Sequence, residues 1–181
     1  MLEARGRIAD ISMVRKRLRS EGGFGLVELL IAMVMLNIGL VAVVAAFSSG
    51  IVSLNRASRI TTAAVIADQQ MELYRALTYA SIRLDTGAVG TTDAKYRNDP
   101  VLGGSITGLV TASCPGAPDE CTPSRKVVGA DRKDYRLDSY ITQYTPTGGR
   151  AVKKVTVVVR DWNNLAVTFA RQASTFDLST G

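Results

Sequence analysis

Residues 24–47 form an apolar run of 24 residues whose only strongly polar members are one carboxylate, Glu28, and one amide, Asn37. As a helix rising about 1.5 Å per residue, such a run reaches about 36 Å, enough to cross a hydrocarbon core of about 30 Å. A basic stretch, Arg15-Lys16-Arg17-Leu18-Arg19, precedes it and ends at Gly22-Gly23. Positive charge on one flank of a spanning helix keeps that flank in the cytoplasm and sends the body across the membrane. The chain is therefore expected to be a single-pass inner-membrane protein with an extracytoplasmic body.

Glu28 is the anomaly in this run. A carboxylate inside a spanning segment costs on the order of 2.5 kcal/mol near the bilayer centre and less near the interface, so it needs a cationic partner or a task. Cleavage after Gly23 would supply one, because the new α-amino group of Phe24 has an ordinary pKa near 8 and would be largely protonated. A neighbouring copy would present that amine beside Glu28.

Gly23-Phe24-Gly25-Leu26-Val27-Glu28 resembles the processing motif of type IV prepilins and pseudopilins: glycine before the scissile bond, an aromatic first mature residue and glutamate at the fifth mature position. The resemblance implies that Gly23 is read by the prepilin peptidase and that Phe24 becomes the N-methylated N-terminus. It also implies that Glu28 pairs with the terminus of an adjacent subunit during assembly. The implied partners are that peptidase, other pilin or pseudopilin subunits, a membrane assembly platform and membrane lipid; the implied site is the cell membrane and a surface filament. The implied fold is α+β, with a long N-terminal helix, membrane-spanning in its first half, packed on a C-terminal antiparallel sheet of three or four strands. Glu28-x-Leu30-x-Ala32-x-x-x-Leu36-x-Ile38-Gly39-Leu40 resembles minor pilins and pseudopilins more than major ones. Gly25 departs from the pattern, which commonly has threonine there.

Two blander readings compete. A secretory signal has a shorter apolar core, about 7–15 residues, and a small-residue cleavage site at its far end, for which Val44-Ala45-Ala46 would have to serve. A plain signal anchor explains the length and charge but leaves Glu28 and the Gly-Gly-Phe junction unexplained. A non-polymerising, membrane-anchored adhesin or binding domain shares the expected fold and differs only in making no lateral helix contacts.

The net charge of +6 is shared between the two sides of the junction: six of the 22 basic and three of the 16 acidic side chains lie in 1–23, leaving 16 and 13. Histidine is absent and there are two cysteines, so no four-ligand N/S zinc site can be assembled. No cofactor is expected. Cys114 and Cys121 enclose a six-residue loop on the exported side. A disulfide is the structural reading, and free thiols are the alternative in a host that exports proteins without an oxidising system.

Past the apolar run, Ala57, Ile60, Ala64, Ala67, Met71, Tyr74 and Leu77 recur at helical spacing, predicting helix to near Leu84 with a glycine cap at Asp85-Thr86-Gly87. Asn37 and Gly39 mark a place for bending, or for close approach of a neighbouring helix. Residues 88–133, rich in Gly, Thr, Pro and Asp, read as a connecting region with one short strand near Ser105–Thr111. Tyr135–Tyr144, Val152–Arg160 and Leu165–Arg171 read as antiparallel strands, the first with a slip near Asp138-Ser139, joined by turns at Thr145–Gly149 and Trp162-Asn163-Asn164. The expected division is a removable leader at 1–23, a spanning helix at 24–47 and its continuation at 48–84. A variable region at 85–133 and a sheet at 134–181 complete it.

Arg125, Lys126, Arg132, Lys133, Arg136, Arg150, Lys153, Lys154 and Arg160 invite a nucleic-acid reading, but Asp131, Asp134, Asp138 and Asp161 are interspersed with them. They are read as a mixed, solvated surface, and DNA is not an expected partner. Neither G-x-S-x-G, H-E-x-x-H nor a phosphate-binding glycine loop is present, so a structural protein is expected rather than an enzyme.

Overall fold

A computed structural model of the chain describes residues 25–116 and 118–178. Gly23 and Phe24 lie outside them. The chain divides into two compact units, Met1–Val52 and Ser53–Gly181.

In the first unit the described residues after Gly25 belong to helix α1, Leu26–Arg75, which continues into the second. Its large apolar side chains are exposed throughout: Leu26, Met33, Leu40 and Phe47 are each more than 60% exposed. The helix continues unbroken through Asn37 and Gly39. The Asn37 side-chain amide donates to the Met33 carbonyl at 2.8 Å, and the Ser48 hydroxyl to the Val44 carbonyl at 3.0 Å. These i to i−4 bonds spare both polar groups from facing an apolar surround unpaired.

The second unit is α+β. Its four-stranded sheet is antiparallel in the order β3 (Ser124–Val128), β4 (Asp134–Tyr144), β5 (Val152–Asp161), β6 (Thr168–Phe176). Leu137 pairs with Val159, Ser139 with Val157 and Ile141 with Val155, which fixes one apolar face of the two central strands. The C-terminal part of α1 covers that face. Ala63, Ile66, Ala67, Met71 and Tyr74 are buried in one core with these valines and Leu137. Arg59 donates to the Asp161 carboxylate at 2.6 Å. Gly129 sits where a Cβ would lie 2.6 Å from Thr62 Cγ2 and 2.7 Å from Tyr135 Cε2, so a side chain there would push helix and sheet apart.

The helix ends at Arg75, nine residues short of Leu84, and Gly87 caps nothing. After it the chain makes a 3₁₀ turn, Tyr79–Ser81, and a two-residue strand β1, Leu84–Asp85, parallel to β2, Thr111–Ala112. Tertiary partners decide this stop. The buried Lys153 ammonium donates to the carbonyls of Tyr79 at 2.6 Å and Ile82 at 2.8 Å, satisfying groups that a continuing helix would have used. The buried stripe also differs: Ala63, Ile66 and Gln70 are buried, whereas Ala57, Ile60 and Ala64 are exposed.

The expected connecting region is structured and supplies part of the sheet, which begins at Ser124 rather than 134. Asp85, Asp93 and Asp99 each accept a backbone N–H at the start of a short helical turn: α2 (Thr86–Gly90), α3 (Ala94–Arg97) and Pro100–Leu102. In place of a strand at Ser105–Thr111 there is a 3₁₀ turn, Ile106–Gly108, before β2. Strand β4 shows no slip at Asp138-Ser139; the irregularity lies in the β5–β6 pairing between Val159 and Arg160. Strand β6 starts at Thr168 because the Asp161 N–H is taken by the Val167 carbonyl, and the Asp161 and Asn164 carboxylate and amide oxygens accept from Asn163 and Ala166. Leu165 and Val167 are thereby held in the turn.

The reading of the basic residues as a solvated surface fails at Arg136, Arg160 and Lys153, all buried. On the face of β4 and β5 away from α1, Arg136 and Arg160 are paired in register and would repel. Asp138, 0% exposed, lies between them and accepts from Arg136 Nε at 2.8 Å and from Arg160 Nη1. Arg136 also forks onto Asp93, and Arg160 reaches Asp99. The alternating chain of charges ties α3 and the Pro100–Leu102 turn to the sheet. Tyr96 stacks on Tyr140 with ring centroids 4.4 Å apart and donates to the Ser139 carbonyl at 2.6 Å.

Acid should loosen this clamp. The Arg136 guanidinium, opposed in part by burial, holds the Asp93 carboxyl down at about 2, against an ordinary value of 3.8. A depressed carboxyl stabilises the fold above about pH 4, where it is ionised even in the unfolded chain, and the contribution disappears as pH falls through about 2. Asp85 adds to the same trend, lowered by the N–H groups of Cys114 and Ala88. Thermal unfolding should therefore shift downward between pH 4 and pH 2, and Asp93→Asn should flatten that dependence. Equal losses in both proteins over this range would remove Asp93 from the account.

Candidate functional site

Glu28 stands in the first turn of α1, its backbone N–H bonded to the Gly25 carbonyl at 2.8 Å. A carboxylate there is favoured by the unsatisfied N–H groups of a helix start. Its side chain makes no ion pair among the described residues. Leu29, Leu30, Ile31 and Met33, which surround it on the helix, are all more than half exposed. Thus an acid and a continuous apolar surface share one helix, and no described residue of their own unit covers them. α1 is long and apolar enough to cross a membrane.

Cys114 and Cys121 form a disulfide, with Cα atoms 6.4 Å apart. The loop is held from several sides. The Cys114 N–H donates to the Asp85 carboxylate at 3.0 Å, and the Asp85 N–H to the Cys121 carbonyl at 2.8 Å. The Tyr74 hydroxyl donates to the Glu120 carbonyl at 2.9 Å, while Arg125 bridges Gln70 at 2.9 Å and Asp119 at 3.0 Å. The cross-link therefore fixes the end of α1, β1 and the entry to β3 to one another. This loop was legible as a staple; its anchoring on Gln70 and Tyr74 was not, because an amide within an apolar stripe carries no local sign of burial.

Among the described residues one long apolar helix, whose C-terminal part packs on an antiparallel sheet, indicates a membrane-anchored protein with an α+β body. Residues 18–44 match the model of the prokaryotic N-terminal methylation motif. The motif and the fold together indicate a precursor of type IV pilin or pseudopilin type, a structural class of protein. Such a motif implies processing by a prepilin peptidase and assembly with other pilin subunits. Comparison with curated proteins and with solved structures finds no match to the chain.

Proposed function

We propose that the chain is a structural subunit, of the minor kind, of a type IV pilus or related pseudopilus. Residues 1–23 form a cytoplasmic leader that is removed after Gly23, Phe24 is then N-methylated, and the body from Ser53 onward lies outside the membrane. The segment 24–47 leaves the bilayer for the filament core, where Glu28 neutralises the terminal amine of a neighbour and sets axial register. The observation that carries this reading is the methylation motif over residues 18–44, with Glu28 inside it in the first turn of a helix whose first half is apolar and exposed.

In bilayer hydrocarbon the apolar surface of α1 gains nothing by meeting another apolar helix, so association rests on packing and polar pairing. Gly39, with no atom within 4 Å of a Cβ built on it, offers one place for close approach. The desolvated Glu28–amine pair supplies the specificity, since it forms only in a processed neighbour at one helical offset.

The reading is tested at the junction. Gly23→Leu should leave the protein at full length in membranes, and immunogold labelling of sheared filaments should find none of it. Filaments that label normally while the protein retains its leader would overturn the reading.

A further inference from the structure

The body carries a cavity that assembly through α1 does not use. It occupies about 370 Å³, within the range of roughly 300–1,000 Å³ usual for small-ligand sites. It opens between α2–α3, the start of β3 and the β5–β6 turn, and its walls include Thr91, Asp93, Ser124, Lys126, Arg136 and Trp162.

Four features define what would fit. Trp162, the only tryptophan in the chain, is 41% exposed and lines the cavity, with the Lys126 ammonium lying over one face of its ring, 5.2 Å from the centroid. Deeper in, the Arg136 side chain is 6% exposed and is fixed by Asp93 and Asp138, so its guanidinium is rigid before any ligand arrives. Asp93 keeps half of its own side chain exposed, leaving acceptor capacity toward the cavity. The Thr91 hydroxyl spends its proton on the Ala88 carbonyl at 2.9 Å, so what it offers a ligand is its lone pairs.

The charge balance argues against an anion. Each cation lining the cavity already has a carboxylate: Arg125 has Asp119 at 3.0 Å, Lys126 has Asp134 at 2.8 Å, and Arg136 has Asp93 and Asp138. A phosphate or carboxylate would have to displace one of these pairs. A ring with hydroxyl groups would not: its C–H face lies against the indole face opposite Lys126, and its hydroxyls donate to Asp93 and Thr91 and accept from Arg136. We propose that this cavity is a binding site for a neutral saccharide, with Trp162 as the stacking platform and Asp93 and Arg136 as its hydrogen-bonding floor. The site lies wholly within residues 53–181 and does not depend on filament assembly.

Because Trp162 is the sole tryptophan, its emission reports on the cavity directly. The experiment uses the full chain in a detergent without a sugar headgroup, titrated with chitotriose, cellobiose, oligogalacturonate and inorganic phosphate. At least one of the two neutral oligosaccharides should shift the emission saturably, while phosphate should not. Saturation-transfer NMR with the same sugar should show binding weakened about tenfold in Trp162→Ala and largely kept in Trp162→Phe, as expected for loss of an aromatic stacking partner. No saturable response to either neutral sugar would overturn the proposal. So would a response to the two anionic probes alone, or sugar binding unchanged in Trp162→Ala.

Discussion

Glu28→Ala should be cleaved like the parent protein and then fail to enter filaments. Cleavage depends on the Gly23–Phe24 junction, which the substitution leaves intact, whereas assembly depends on a carboxylate placed beside an amine in an apolar surround. Removing one member of a desolvated pair leaves the other charge uncompensated and costs about 3–5 kcal/mol. That corresponds to on the order of a hundredfold or more in the equilibrium for adding a subunit. The substitution also removes the one carboxylate of the apolar run 24–47 and so makes the unassembled, membrane-bound form more comfortable. Both effects favour the bilayer over the filament. The check is the ratio of processed protein in membranes to that in sheared filaments; normal incorporation of Glu28→Ala would take Glu28 out of the mechanism.

Asp138→Ala should be the most damaging single change in the body. Asp138 is 0% exposed and is the shared partner of Arg136 and Arg160, whose guanidinium groups sit on directly paired residues of β4 and β5. Without it, two buried cations face each other, Arg160 retains only Asp99, and the in-register repulsion is no longer screened. The expected loss is about 3–5 kcal/mol, which for a unit of this size lowers the unfolding midpoint on the order of 10–20 °C. Replacing the charges together behaves differently, because an apolar substitute for a whole buried ion cluster is often neutral or stabilising. Asp138→Leu combined with Arg160→Met, Arg136→Met and Asp99→Asn, which also neutralises the buried carboxylate that Arg160 would leave unpaired, should therefore recover much of what Asp138→Ala loses in the same thermal scan. A midpoint for Asp138→Ala within a degree or two of the parent protein would show that the cluster contributes little.

The parts of this molecule that were legible in the sequence are those where one physical effect dominates. The apolar run from Phe24 to Phe47 outweighs everything local, and α1 covers it from Leu26 onward without a break. The β4–β5 hairpin was legible because Val155, Val157 and Val159 alternate on one face and a Thr-Pro-Thr-Gly-Gly turn precedes them. What escaped was set by partners distant in sequence. No glycine or proline marks Arg75 as a helix end, and Lys153, nearly eighty residues on, supplies the reason. Strand β3 carries Arg125 and Lys126 in a short edge segment, so its alternation is masked by charge. Arg136, Asp138 and Arg160 look like solvated residues when taken singly. Only the register that sets Arg136 opposite Arg160, together with Asp93 and Asp99 at helix starts, reveals a buried network. In the candidate site, Glu28 was conspicuous because a carboxylate in an apolar run has no bland explanation. The cavity around Trp162 had no signature, since its walls come from four separate segments.

The most direct measurement is the mass of the N-terminal peptide of the protein purified from membranes and from sheared filaments. The account predicts a peptide beginning at Phe24 and heavier by one methyl group on its α-amino nitrogen. A protein that still begins at Met1, or that begins beyond Ala46, would carry no amine placed to meet Glu28, and would contradict it.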